Sequence, residues 1–81
     1  MATLRLFATV RVAAGTGRDT FDLDDGATVG DVLDAAIGRY GDEFAALVPV
    51  CRIWLNGDTA DREAFVNAGD EVALLPPVSG G

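Results

Sequence analysis

Apolar and polar residues alternate in four stretches of the chain, which is the pattern of half-buried β-strands. The stretches are residues 3–7, 20–23, 50–55 and 71–75. Asn56-Gly57 follows the third stretch and is a strong tight-turn signal, so a brief return strand is expected at residues 59–60. The alternation therefore predicts four strands and a short fifth.

One segment between the second and third strands has helical spacing instead. Thr28 is a favourable helix N-cap with Asp31 three residues later, and Gly41 is expected to end the helix. Residues 8–14 are ambiguous and could hold a helical turn, and residues 42–47 predict a short second helical piece. The main helix is predicted from one apolar stripe: Val29, Val32, Leu33, Ala36 and Ile37.

The resulting order, β-β-α-β-β, suits a small α+β domain in which one amphipathic helix covers one face of a sheet. If the first and last strands are neighbours in the centre, they run parallel and are joined by a right-handed crossover. This is the β-grasp arrangement. We therefore predict a mixed four- to five-stranded sheet under one main helix in residues 1–75, followed by a flexible tail of residues 76–81.

The charge and composition of the chain argue against several classes of function. The chain has 13 acidic and six basic residues, all of the latter Arg, for a net charge of −7. Nucleic acid is not an expected partner because phosphate binding needs a basic patch, whereas basic protein surfaces suit an acidic chain. The absence of His and the single Cys51 exclude a His-based nucleophilic pair and nearly exclude a zinc site. No apolar run approaches ~20 residues, so we expect a cytoplasmic protein without a membrane segment.

The C-terminal sequence LLPPVSGG is the strongest candidate for chemistry. Pro76 and Pro77 stop the last strand and favour an extended exit. Gly80 and Gly81 have no Cβ and can enter a channel too narrow for side chains. The group delivered is the α-carboxylate of Gly81, which an enzyme would have to activate, for instance as an acyl-adenylate. A frayed terminus that ends in glycines is the competing interpretation.

Several stretches together resemble a known family. They are Leu4-Arg5-Leu6-Phe7-Ala8 running into Arg11, Ala27-Thr28-Val29, Asn56-Gly57, and above all residues 69–81. Over essentially its whole length the chain resembles the small, ubiquitin-like sulfur-carrier subunit of molybdopterin synthase, in the wider family that includes the thiamine sulfur carrier. It departs from the family at Val12, where Glu is frequent, and at Leu74-Leu75, where aromatic residues are frequent.

The resemblance implies a β-grasp fold and a carrier without its own catalytic activity. An E1-like adenylyltransferase would use ATP to adenylate Gly81, and sulfur would then replace the adenylate to give a thiocarboxylate. The tail would enter the large subunit of molybdopterin synthase and donate its sulfur there. No bound cofactor or metal is implied. Besides Gly80 and Gly81, the expected site consists of partner-binding residues: Phe7, Arg11, Leu75, Pro76, Pro77, Val78 and Ser79.

Other interpretations remain open at this point. The chain could be a ubiquitin-like modifier joined through Gly81 to Lys residues of other proteins, or a carrier for thiamine, cysteine or thiosugar synthesis. It could also be a plain β-grasp interaction domain with an inert tail. Arg11 could be a solvated surface residue, Trp54 fits the core and an interface equally well, and Cys51 is expected to be a buried, inert thiol.

Overall fold

The computed structural model describes residues 1–77 of the 81-residue chain. Its strands, in chain order, are β1 Ala2–Leu6, β2 Arg18–Phe21, β3 Arg52–Leu55, β4 Asp58–Thr59 and β5 Glu71–Leu75. Its helices are α1 Ala8–Ala14, α2 Val29–Tyr40 and α3 Asp42–Leu47, and a 3₁₀ turn follows α3 at Val48–Val50.

The five strands form one mixed sheet in the order β2-β1-β5-β3-β4. Inside this sheet β1 and β5 run parallel, with Leu4 opposite Val72 and Leu6 opposite Leu74. The other three pairs, β1 with β2, β5 with β3 and β3 with β4, are antiparallel. The predicted parallel pairing of the first and last strands, and with it the β-grasp arrangement, is confirmed.

Helix α2 begins and ends where its sequence predicts. The Thr28 hydroxyl accepts a hydrogen bond from the Asp31 N–H at 3.3 Å, and the Thr28 N–H donates to the Asp31 carboxylate at 2.9 Å. This reciprocal pair satisfies backbone donors that the first turn leaves free, and Gly41 follows the last turn. The apolar stripe then packs on the sheet. The fully buried core contains Leu4, Leu6, Val10, Val29, Val32, Leu33, Ala36, Phe44, Val72 and Leu74.

Several element bounds differ from the sequence prediction: β1 begins and ends one residue earlier than expected, and β3 begins at Arg52 rather than at residue 50. Residues 8–14 form a complete two-turn helix rather than a single turn, anchored by the buried Val10. Strand β2 covers residues 18–21 instead of 20–23 because it pairs with β1 along the length of β1, from Phe21 opposite Ala2 to Arg18 opposite Arg5. Strand β4 lies one residue earlier than expected, at Asp58–Thr59.

A polar cluster ties the end of α2 to the edge strand β2. The Arg39 guanidinium lies 2.9 Å from the Asp19 carboxylate and 4.0 Å above the centre of the Phe21 ring, and the Tyr40 hydroxyl donates a hydrogen bond to Asp19. The hydrogen bond from Tyr40 and then that from Arg39 lower the pKa of Asp19. Burial, followed by the bond to Asp19, raises the pKa of Tyr40 to about 12.

Because of this cluster, the fold is expected to lose stability as the pH falls into the acidic range. The lowered pKa of Asp19 belongs to the folded state, so ionised Asp19 stabilises the fold above its ordinary pKa of 3.8. That contribution disappears as the pH falls through the lower pKa of the folded chain. We expect Asp19→Asn to lower the midpoint of thermal unfolding at neutral pH, and the difference from wild type to shrink below about pH 4. Asp22→Asn, at an exposed neighbour, should show no such pattern; an equal response of both variants would contradict the assignment.

The loop before β5 approaches α2 closely at Gly30, so a side chain there would be crowded. The Gly30 N–H donates to the Arg62 carbonyl at 2.8 Å, and a Cβ on Gly30 would lie 3.1 Å from that oxygen. We expect Gly30→Ala to lower the free energy of unfolding by about 1–3 kcal/mol in urea denaturation. Gly38→Ala is the matched control in the same helix, since a Cβ there meets open space. It should instead raise stability by roughly 0.5–1 kcal/mol, and equal effects of the two variants would refute the crowding at Gly30.

Candidate functional site

The tail leaves the sheet at the end of its central strand. Because β5 runs parallel to β1, Leu75 reaches the same edge of the sheet as Phe7, which directly follows β1. Pro76 is half-buried and Pro77 is exposed. The predictions for Val78, Ser79, Gly80 and Gly81 lie outside the described residues and stay predictions.

A strained turn directly follows Phe7. It has extended backbone angles as the N-cap of α1, and Ala8 then adopts a φ of +52°. This left-handed conformation costs a non-glycine residue roughly 1–2 kcal/mol. The turn redirects the chain from β1 into α1. Leu6, which is on the helix side of the sheet, is 1% exposed, and Phe7, which is on the opposite side, is 38% exposed. Backbone strain of this kind concentrates at functional sites and has no signal in the residue pattern.

One face of the sheet packs against the helices, and the opposite face, here called the open face, contains the predicted apolar residues. Strand register places Trp54 opposite Ala73 and Arg52 opposite Leu75. Side chains opposite each other in register share a face, and diagonal neighbours lie about 7–8 Å apart. Trp54 and Leu75 are therefore neighbours on the open face, where both are half-buried and neither belongs to the buried core.

Arg11 lies on an exposed position of α1, and its side chain crosses back over the loop between α1 and β2. A Cβ on Gly17 would lie 3.0 Å from the Arg11 Nε, so the side chain rests directly against that glycine. This position places Arg11 beside Arg5 and Arg18. The sequence did not indicate that Arg5 and Arg18 join it, because that requires the register of β1 and β2.

The described residues contain little other chemistry. Cys51 is half-buried and its thiol donates to the Leu47 carbonyl at 3.2 Å, and burial raises the pKa of this thiol. A thiol held in its protonated form is a poor nucleophile, which supports the inert interpretation. Across residues 1–77, no three His, Cys, Asp or Glu side chains are grouped as a metal site would require. Within the same range, no helix has the length and apolar character needed to cross a membrane.

Comparison with known proteins agrees with this geometry. The profile of the ThiS family matches residues 4–81. The chain belongs to the ThiS family. Its members are small, ubiquitin-like sulfur carriers, so the resemblance noted in the sequence is confirmed at this level.

Two curated relatives and one solved structure place the chain within this family. The chain is 40% identical to small archaeal modifier protein 1 of Haloferax volcanii, with 95% of this chain and 97% of that protein covered. It is 38% identical to the molybdopterin synthase sulfur carrier subunit of Chlamydomonas reinhardtii, with 93% and 92% covered. The crystal structure of SAMP1 from Haloferax volcanii superposes with a TM-score of 0.84 at 37% identity, over 99% of this chain and 98% of that one.

The placement of Phe7 outside the core leads to a stability prediction. We expect Phe7→Ala to lower the free energy of unfolding by about 1 kcal/mol or less, because the ring is partly exposed and its closest charged contact is a cation–π pair with Arg5 at 5.6 Å. Leu6→Ala is the matched control one residue earlier and should cost about 2–5 kcal/mol. Urea denaturation of both variants measures the contrast, and similar losses would show that Phe7 is an ordinary core residue.

Proposed function

We propose that this chain is a sulfur carrier that works through a thiocarboxylate at Gly81. Membership of the ThiS family supports the carrier role. The structural observation that carries the proposal is the exit of the tail from the central strand β5, next to the exposed ring of Phe7 and the half-buried Leu75. The sheet holds the start of the tail in a fixed position relative to this edge, so a partner that docks here meets the tail at a defined place.

The chemistry requires activation by another protein. The Gly81 carboxylate is a poor electrophile, and a partner adenylyltransferase would join it to AMP from ATP with release of pyrophosphate. A sulfur nucleophile then attacks the acyl carbon, a C–S bond forms and AMP leaves. The resulting thiocarboxylate is a better nucleophile than the carboxylate. In this proposal the chain offers the activating enzyme a docking surface, and the Cys51 thiol, whose pKa is raised by burial, takes no part in the chemistry.

For the acceptor we propose the large subunit of molybdopterin synthase. The similarity to the Chlamydomonas sulfur carrier subunit supports this choice. In this assignment the open-face edge formed by Phe7 and Leu75, together with Arg11, contacts the partner, and Pro76 and Pro77 direct the tail outward. Val78 and Ser79 give the tail its reach, and Gly80 and Gly81 enter the active site of the partner.

A second candidate is a protein modifier joined through Gly81 to Lys side chains. The similarity to small archaeal modifier protein 1 favours it. Both functions need the same adenylation, so one chain can perform both. Because all six basic residues are Arg, this chain offers no Lys side chain for linkage to a second copy of itself. The modifier function would therefore attach single copies rather than Lys-linked chains.

Intact-mass spectrometry tests the carrier function directly. We expect the chain with a native C-terminus, incubated with ATP, a sulfur donor and the adenylyltransferase from its own genome, to exchange one oxygen for sulfur at Gly81. Deletion of Gly81 should abolish the exchange. The matched Gly81→Ala variant keeps a terminal carboxylate and tests whether a Cβ blocks entry to the partner. Thermal unfolding verifies the fold of both variants.

The results separate the proposed functions. An unchanged mass with an adenylyltransferase that is active on another carrier would sink the carrier proposal. Gly-Gly remnants of this chain on Lys residues in cell lysate would support the modifier function. Sulfur transfer to the purified large subunit of molybdopterin synthase, or its absence, decides the acceptor.

A further inference from the structure

Three arginines meet at one end of the open face. Arg5 and Arg18 are direct partners in the register of β1 and β2, so their side chains leave the same face next to each other. Arg11 reaches them from α1 across Gly17. Together with Thr16 and Gly17, these arginines line an open cleft of about 390 Å³, here called the arginine cleft.

The fold itself does not account for this cluster. Like charges directly opposite each other on neighbouring strands destabilise a sheet. Among residues 1–77, the cleft has one carboxylate within 4.0 Å of a guanidinium, that of Glu71 at 3.8 Å from Arg5, and both side chains are well exposed. By contrast, Arg39 and Arg62 on the helix side each pair with a carboxylate, at 2.9 Å and 2.7 Å. Apart from this pair and the cation–π contact of Arg5 with Phe7, the arginines of the cleft have no charged or aromatic partner among residues 1–77.

The cleft lies at the end of the sheet from which the tail leaves. The Leu6 N–H donates to the Gly17 carbonyl at 3.0 Å, and Leu6 is the register partner of Leu74. Arg5 lies on β1, one strand spacing or about 5 Å from β5, and Arg18 lies on β2, one spacing further away. A protein that receives the tail and covers Phe7 would extend over the arginine cleft.

We propose that the arginine cleft binds a cluster of carboxylates on the adenylyltransferase that activates the tail. This inference rests on the proposed function, because it assigns the surface of the same partner. Guanidinium groups bind carboxylates in bidentate pairs, and three of them side by side suit two or more acidic side chains. Arg5 and Arg18 thereby become determinants of partner choice along with Arg11.

An acidic protein segment fits the cleft better than an extended polyanion. The net charge of −7 repels nucleic acid and anionic lipid surfaces, and it is screened beyond about 8 Å at physiological salt. The arginine cleft therefore attracts only those negatively charged groups that already lie within about this screening distance. Phe7 and Leu75 add apolar surface to the same end of the sheet. A protein partner can bury this surface together with the cleft, whereas a free oxyanion cannot.

Nuclear magnetic resonance titration of the ¹⁵N-labelled full chain tests the binding. The probes are capped hexaglutamate, capped hexaglutamine and sodium sulfate at matched ionic strength. We expect hexaglutamate alone to shift the amides of residues 5, 11 and 16–18. The double variant Arg5→Gln/Arg18→Gln should weaken this binding about fivefold or more. Arg62→Gln removes the same type of charge on the helix side and should leave the affinity within about twofold.

A charge-conserving variant and a stability measurement exclude a merely structural effect. Gly17→Ala keeps the net charge but pushes the Arg11 side chain away, so it should also weaken hexaglutamate binding. Removing the Arg5–Arg18 repulsion should leave the midpoint of thermal unfolding no lower than that of the wild type. Equal shifts with sulfate, no shift in the cleft, or equal behaviour of the Arg5/Arg18 and Arg62 variants would overturn the proposal.

The activating enzyme provides a second readout. With wild-type adenylation measured by pyrophosphate release, the Arg5→Gln/Arg18→Gln variant should lose about tenfold in kcat/KM at low salt. The loss should shrink at high salt, while kcat at saturation is unchanged. A salt-independent or absent effect would contradict carboxylate docking on that enzyme. If the wild-type chain is not adenylated at all, the proposed function fails, and the peptide titration alone decides whether the cleft binds carboxylates.

Discussion

The parallel pairing of β1 and β5 is the constraint on which the rest of the structure depends. It joins the two ends of the domain, and its helix-side residues Leu4, Leu6, Val72 and Leu74 are fully buried. Parallel strands cannot be joined by a short turn, so the chain between them must cross over the sheet, and α2 makes that crossing. The same pairing fixes the site, because a tail that starts at the end of the central strand has a rigid origin.

The helices cover one face of the sheet, so the residues of the open face are not required to form the core. Trp54, Leu75 and the arginines of the open face lie outside the buried core, and the Arg5–Arg18 repulsion in the arginine cleft works against sheet stability. Residues that break a local rule without compensation inside the fold are best explained by a partner. The net charge of −7 predicts a basic partner, whereas the open face predicts an acidic one, because docking depends on the charge of the contacting surface rather than on the sum over the chain.

Periodicity and turn chemistry were enough to predict α2, the parallel pairing of the first and last strands, and the exit of the tail. The Thr28 cap, the stripe from Val29 to Ile37 and the alternation in residues 71–75 are local signals that agree with the global fold. The turn at Ala8 and the Arg5–Arg18 pair were not predictable in the same way. The first needs a positive φ in a residue that rarely adopts one, and the second needs the register between two strands separated by α1.

The residues that depart from the family pattern lie partly in the core and partly on the surface. Leu74 points into the core and is fully buried, so its difference from the aromatic residues frequent in relatives affects packing and not partner choice. Leu75 lies on the open face beside Phe7, and Val12 is 82% exposed on α1 next to Arg11. Because activation of Gly81 is the same for a carrier and a modifier, the tail cannot select between acceptors. In the proposed function, selection would therefore fall on docking residues such as Leu75, Val12 and the arginine cleft, which would hold the body of the chain against the partner.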